Sequence, residues 1–216
     1  MSYKSILVNI DIDGPVEPIL QAATGLARCH EAKLIGICSA DAPMPMVGPQ
    51  AAALAAETWQ QMRNDIEKRF KEVHREFDRV IGGAIKTAWR ESLKNPTHAL
   101  VQASRSVDLI VMAASDGAST GDAYRVADPA SVVLRAGRPL LVVAGKAEHV
   151  QAKKIVVAWK DTREARRAVA DSIPLLVTAK EVIVVTVVPE ADNCVRDGLT
   201  DVVAFLALHG IEAKPN

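Results

Sequence analysis

Four apolar runs of only four or five residues, at 6–10, 34–38, 109–112 and 140–143, are almost uninterrupted by polar side chains. A strand with one wet face alternates apolar and polar residues, so runs of this kind suit strands buried on both faces of a parallel sheet. The intervening segments carry a different period. Val16, Ile19, Ala23, Leu26 and His30 recur at three- and four-residue steps, as do Trp59, Met62, Ile66, Phe70, Val73, Phe77 and Val80. Each set forms one stripe of an amphipathic helix, and Gly82-Gly83 predicts the end of the second. A further strand is expected at 85–89 and a short helix at 97–104. Strand and helix alternate, which predicts a doubly wound α/β domain of five parallel strands.

A second constraint appears when the chain is shifted along itself. SILVNIDID at 5–13 falls on KIVVAWKDT at 154–162, and at the same shift KLIGIC at 33–38 falls on VIVVTV at 182–187. Leu20 then meets Val169 and Leu26 meets Leu175. An ungapped match across strand, helix and strand is a repeat signal. The expected organisation is a complete domain at 1–147, a polar linker, and at 153–216 the opening half of a second copy. That half supplies a strand, a helix, a strand and a helix at 199–208 before the chain reaches 211–216. A half-copy leaves a sheet edge that needs cover, so a shortened tandem protein and a partner-covered edge are both open.

Bulk properties exclude several classes. Twenty-six basic residues balance 26 acidic ones, so no global field recruits nucleic acid or an anionic membrane. The long helix mixes both signs from Glu67 to Arg79, a salt-bridged outer face and not a nucleic-acid patch. No apolar segment approaches the roughly 20 residues that span a bilayer. Cys29, Cys38 and Cys194 form no CxxC pair, and the histidines lack zinc-ligand spacing. Isolated thiols and an N-terminus that enters a strand at once lead to the expectation of a cytoplasmic protein.

The opening ILVNIDID, the stretch SVDLIVMAAS before a glycine-containing loop, and LRAGRPLLVV closing the first domain together resemble the universal stress protein family. VAWKDTREARRAVADSIPLL resembles the opening of the second domain in tandem members. The resemblance implies a strand order of 3-2-1-4-5, pairing of copies through the last strand, and in some members ATP binding. It implies a homo-oligomer joined by Leu140, Leu141, Val142 and Val143, and ATP or AMP as the class of nucleotide. Members bind or signal more often than they catalyse.

That strand order puts the crossover between strands one and four, where ligands bind in open α/β sheets. Asp11 matches the family residue at the adenosine end, and Cys38 matches a position lining the adenine pocket. Asp11 equally suits a polar strand terminus that helps to start the next helix. ATP-binding members carry G-x2-G, about nine residues, then Gly-Ser at a helix start, where backbone N–H groups and the helix dipole hold phosphate. Here Ala113 or Ala114 stands at the first glycine, Gly117 is displaced by one residue, and Ala127-Asp128-Pro129 replaces Gly-Ser ahead of Ser131. Asp before Pro is a strong helix start, with the carboxylate at the N-cap and the ring at the first helical position. A carboxylate seated there occupies the donors a phosphate needs and repels it. Asp116 and Asp122 add negative charge that Arg125 alone offsets only in part, and no G-x4-G-K-[ST] loop is present.

The candidate crevice therefore comprises Asp11, Cys38, Ala113, Ala114, Gly117, Asp128 and Ser131, with triphosphate expected to be excluded. Tyr124 and Arg125 are read as a surface lid with one aromatic resting on the sheet edge, with ligand contact as the alternative. Trp89 is expected to pack, leaving Arg90 and Glu91 solvated. Ser115-Asp116-Gly117 lacks the geometry of a hydrolase elbow, and no nucleophile–base–orienter set is visible. The expected function is non-catalytic binding and association. An ATP-responsive switch and a small nucleotide hydrolase or transferase are the rival classes.

Overall fold

A computed structural model of the chain describes residues 2–83, 85–114, 122–144, 153–188 and 193–216. The chain divides into two compact units, residues 3–150 and residues 151–216 with the first two residues.

The first unit runs β1 (Ser5–Ile10), α1 (Val16–His30), β2 (Lys33–Ser39), α2 (Ala52–Ile81), β3 (Thr87–Ser92), α3 (Pro96–Ala103), β4 (Leu109–Ala113), α4 (Pro129–Ala136) and β5 (Leu140–Val143). All five strands pair in parallel in the order β3-β2-β1-β4-β5. Helices cover both faces, which is why the central strands read as unbroken apolar runs. Every residue of β1 from Ile6 to Ile10 is buried. On one face α3 and α4 pack Ala99, Leu100, Ala103 and Val132 against Leu7, Ile35, Ile37, Ile110 and Met112. On the other, Phe77 of α2 lies over Gly36 of β2, and Trp89 of β3 closes the same spot.

Three boundaries differ from expectation, each for a local reason. α2 begins at Ala52, seven residues ahead of Trp59, because the run AALAAE is a strong helix former without an apolar stripe to advertise it. Its buried stripe begins only at Ile66 and continues through Phe70, Val73, Phe77 and Ile81, while Met62 is exposed and Val80 half-buried. β3 starts at Thr87 and carries Arg90 and Glu91 within it. It is an end strand of the sheet, where charged side chains are tolerated and discourage further pairing. α3 begins at Pro96, one residue early, capped by Asn95, whose side chain accepts from the His98 N–H at 3.1 Å.

The second unit runs β6 (Lys154–Ala158), α5 (Arg163–Leu176), β7 (Glu181–Val185), α6 (Asn193–Leu208) and β8 (Ala213–Pro215), paired in parallel in the order β6-β7-β8. β8 adds a short third strand within residues 211–216. Val169, Ile173, Leu176, Val202 and Leu206 of the two helices share a core with Val182 and Val184 of β7, against which Ile155 and Val157 pack. Both helices thus lie on one face. The opposite face carries Val156, 56% exposed, beside Ile183, with Lys154 and Lys214 both bridged to Glu181 at 3.3 and 3.4 Å.

The strand registers correct the repeat. β1 and β2 pair Ser5 with Lys33, and β6 and β7 pair Lys154 with Glu181. When Ser5 is laid on Lys154, Lys33 therefore falls on Glu181 and not on Val182. The ungapped match slips by one residue between the strands. β2 and β7 are both uniformly apolar runs, so neither carries the alternation that would have exposed the slip.

Candidate functional site

β1 and β4 are neighbours in the sheet but far apart in the chain, and their connections leave in opposite directions. The crevice outside their C-terminal ends is the switch point of the fold. Asp11 follows β1 directly. Asn9 donates to its Oδ1 at 2.9 Å, and the Ala127 N–H also donates to its carboxylate. Burial pushes the Asp11 carboxyl above its ordinary range, and those two hydrogen bonds oppose the rise only in part. Cys38, beside Ile10 in the sheet, is fully buried, and its thiol is pushed up to about 12 by burial and then by the nearby Asp11 charge. A thiol held neutral in this way is packing and not a nucleophile.

At the start of α4 the expected cap is in place. Asp128 stands at the N-cap of α4 and accepts from the Ala130 N–H at 3.3 Å and the Ser131 N–H at 2.9 Å, with Pro129 in the first turn. Hydrogen bonds from the Ser131 hydroxyl and N–H hold its carboxyl below the ordinary range. The Ala114 N–H is also taken, by Val143 O at 2.7 Å, and Ala113 lies within β4. Gly117, with Asp116 and Gly121, lies outside the described residues.

Tyr124 and Arg125 are tied to other loops. The Tyr124 carbonyl accepts from the Asp41 N–H at 2.7 Å, although its ring is 43% exposed. Arg125 forms a two-pronged ion pair with Asp13, in the turn after β1, with Nη2 to Oδ1 at 2.8 Å. The hydrogen bond from Arg125 holds the Asp13 carboxyl below its usual range. Two contacts are therefore direct cross-links from the β4–α4 loop to other loops. Arg69 reaches in from α2 to donate to Ile12 O at 3.0 Å, fixing the turn between Asp11 and Asp13.

Elsewhere the side chains do structural work. Trp89 stacks on His74, with ring centroids 4.7 Å apart, as its packing role requires. Arg90 is exposed, as expected, and also donates to Ala103 O at 3.3 Å. Among the described residues no cluster of histidine, cysteine and carboxylate side chains is placed to hold a metal ion. Among the described residues no helix is long and apolar enough to cross a membrane.

Fold and crevice together define the class: an open, doubly wound α/β domain with its candidate site at the β1/β4 switch point. A solved structure shares that fold. The hypothetical protein MJ0577 matches with a TM-score of 0.52 at 16% identity, over 67% of this chain and 97% of that one. The universal stress protein UspA from Lactobacillus plantarum matches at 18% identity with a TM-score of 0.46, over 66% of this chain and 99% of that one. A universal stress protein in complex with cAMP matches at 21% identity with a TM-score of 0.43, over 68% of this chain and 100% of that one. No family model and no curated relative matches the sequence.

Proposed function

We propose that this chain is a universal-stress-type protein of the cytoplasm that acts by binding and association and not by turnover, with a nucleotide cradle closed at its phosphate end. One observation carries the reading: the Asp128 carboxylate sits on the N–H groups of Ala130 and Ser131. Those are the donors a helix start presents to phosphate, and a resident negative charge both occupies them and repels a second. The likeness to MJ0577 supports the fold, and the motifs ILVNIDID, SVDLIVMAAS and LRAGRPLLVV support the family from the sequence. Residues 1–147 are read as a complete domain and 153–216 as the first half of a second. β6, β7 and β8 reproduce the order in which β1, β2 and β3 lie.

Calorimetry with Mg-ATP tests the cradle. No saturable heat is expected from the wild-type protein, and the paired change Asp128→Gly, Pro129→Ser is expected to bring binding into the micromolar range. Micromolar affinity in the unaltered protein would instead establish an ATP-responsive switch.

Association is assigned to β5. It is the other end strand of the first sheet, its four residues carry no charge, and Val142 is 45% exposed. An uncharged end strand with free backbone groups is a template for pairing with a second copy. Light scattering is expected to give a dimer for the wild type and a monomer for Val142→Lys. A wild-type protein that stays monomeric at high concentration refutes the assignment.

A further inference from the structure

Residues 122–128 are bound to four other parts of the first unit. At the β1 end, Ala127 donates to the Asp11 carboxylate and Arg125 pairs with Asp13. Beyond β2, the Asp41 N–H donates to Tyr124 O. Ahead of α3, the Asn95 side-chain amide donates to Ala123 O at 2.9 Å. On α3 itself, Thr97 Oγ1 accepts from the Asp128 N–H at 2.9 Å. Asp122 shapes the segment from within, its carbonyl accepting from the N–H groups of Arg125 and Val126 and its side chain from that of Tyr124. Ala127 is a buried peg in the α3–α4 core. A loop that only skirted the surface would not be tied to the ends of two strands and to the start of a helix.

We infer that residues 122–128 are an intramolecular strap across the switch-point crevice, latched by the ion pair between Asp13 and Arg125. The inference rests on reading that crevice as the ligand site, but its latch lies at the β1 end and not at the Asp128 carboxylate. Of the ties, this ion pair alone joins two opposite charges, so it alone is weakened by salt and open to exchange with an outside anion. Both partners are partly exposed, Arg125 by 33% and Asp13 by 60%, so the latch is weak enough to release without unfolding the sheet. A ligand that offers Arg125 an anionic group takes the place of Asp13 and frees the strap.

Hydrogen exchange at the Asp41 amide, whose acceptor is on the strap, reads the opening directly. Asp13→Asn and Arg125→Gln are each expected to speed exchange at Asp41 about fivefold, the scale of a well-formed exposed ion pair. About 1 M NaCl on the unaltered protein should do the same, with β1 and β2 amides unchanged. Arg79→Gln, which removes an exposed ion pair with Glu17 elsewhere, should leave Asp41 as it was. No change in either latch variant, or an equal rise throughout β1 and β2, overturns the strap. Neither result bears on the Mg-ATP titration, so the two readings stand or fall separately.

Discussion

Valine at position 36 is expected to destabilise the first unit by about 3 kcal/mol, the upper part of the range for overpacked cores. Gly36 lies in the middle of β2, buried between β1 and β3. A Cβ built there would lie 2.6 Å from Cε2 of Phe77 and 2.8 Å from Cε3 of Trp89. Neither ring has room to retreat. Phe77 is 1% exposed on α2, and Trp89 is stacked on the His74 ring. The glycine is thus a consequence of two large rings meeting over one strand, and a larger side chain would push α2 off the sheet. Urea denaturation followed by circular dichroism should show a lower midpoint for Gly36→Val and a smaller loss for Gly36→Ala. Phe77→Leu, harmful alone, should recover part of the valine loss by making space. An unchanged midpoint for Gly36→Val would disprove the packing described for this face.

Asp108→Ala is expected to cost about 2 kcal/mol at neutral pH, the scale of hydrogen bonds to a charged acceptor. One oxygen of Asp108 accepts from the Lys4 N–H at 2.8 Å, the Ser5 N–H at 2.9 Å and the Ser5 hydroxyl at 3.0 Å. It fastens the start of β1 to the start of β4 across the crossover. Partial burial acts to raise its carboxyl pKa, but the bonds from Lys4 and Ser5 outweigh burial and hold it below the ordinary range. The folded pKa is thus the lower one, so the contribution is whole above the ordinary carboxylate range and fades as acid protonates the folded protein. The stability gap between wild type and Asp108→Ala should therefore be widest near neutrality and shrink below about pH 4. A gap that stays constant from neutral to strongly acid pH would show that the carboxylate charge is not what holds the two strands.

What could be read before the structure depended on how local each signal is. β1, β2 and β4 announce themselves because burial on both faces leaves few polar residues, and β5 does so as a short apolar run although Val142 is exposed. β8 does not, because Ala213, Lys214 and Pro215 have none of the composition of a strand. The Asp128 cap was legible because acceptor and donors lie two and three residues apart, a distance fixed by helix geometry alone. The pairing of Asp13 with Arg125 spans 112 residues and exists only because the sheet order brings the two loops together. Asp13 sits two places from a residue singled out for its position, but charge and spacing carry no mark of so distant a partner. The one-residue slip between the repeats escaped for the reason that made the strands visible, a uniformly apolar run that looks alike at either register.

The crossover that brings Lys4 and Ser5 to Asp108 also sets a schedule. On a growing chain, residues 5–92 can assemble β1, β2 and β3 with their two helices well before β4 has been made, since sequence-local pairings close at small entropic cost and distant ones wait. β6, β7 and β8 have the layout of such a stage: three strands, two helices on one side, and Val156 exposed at the position matching Leu7, which is covered in the first unit. Until α3 and α4 have both been made, the growing first unit exposes that same flank, and that wait is the interval in which a chaperone would meet it.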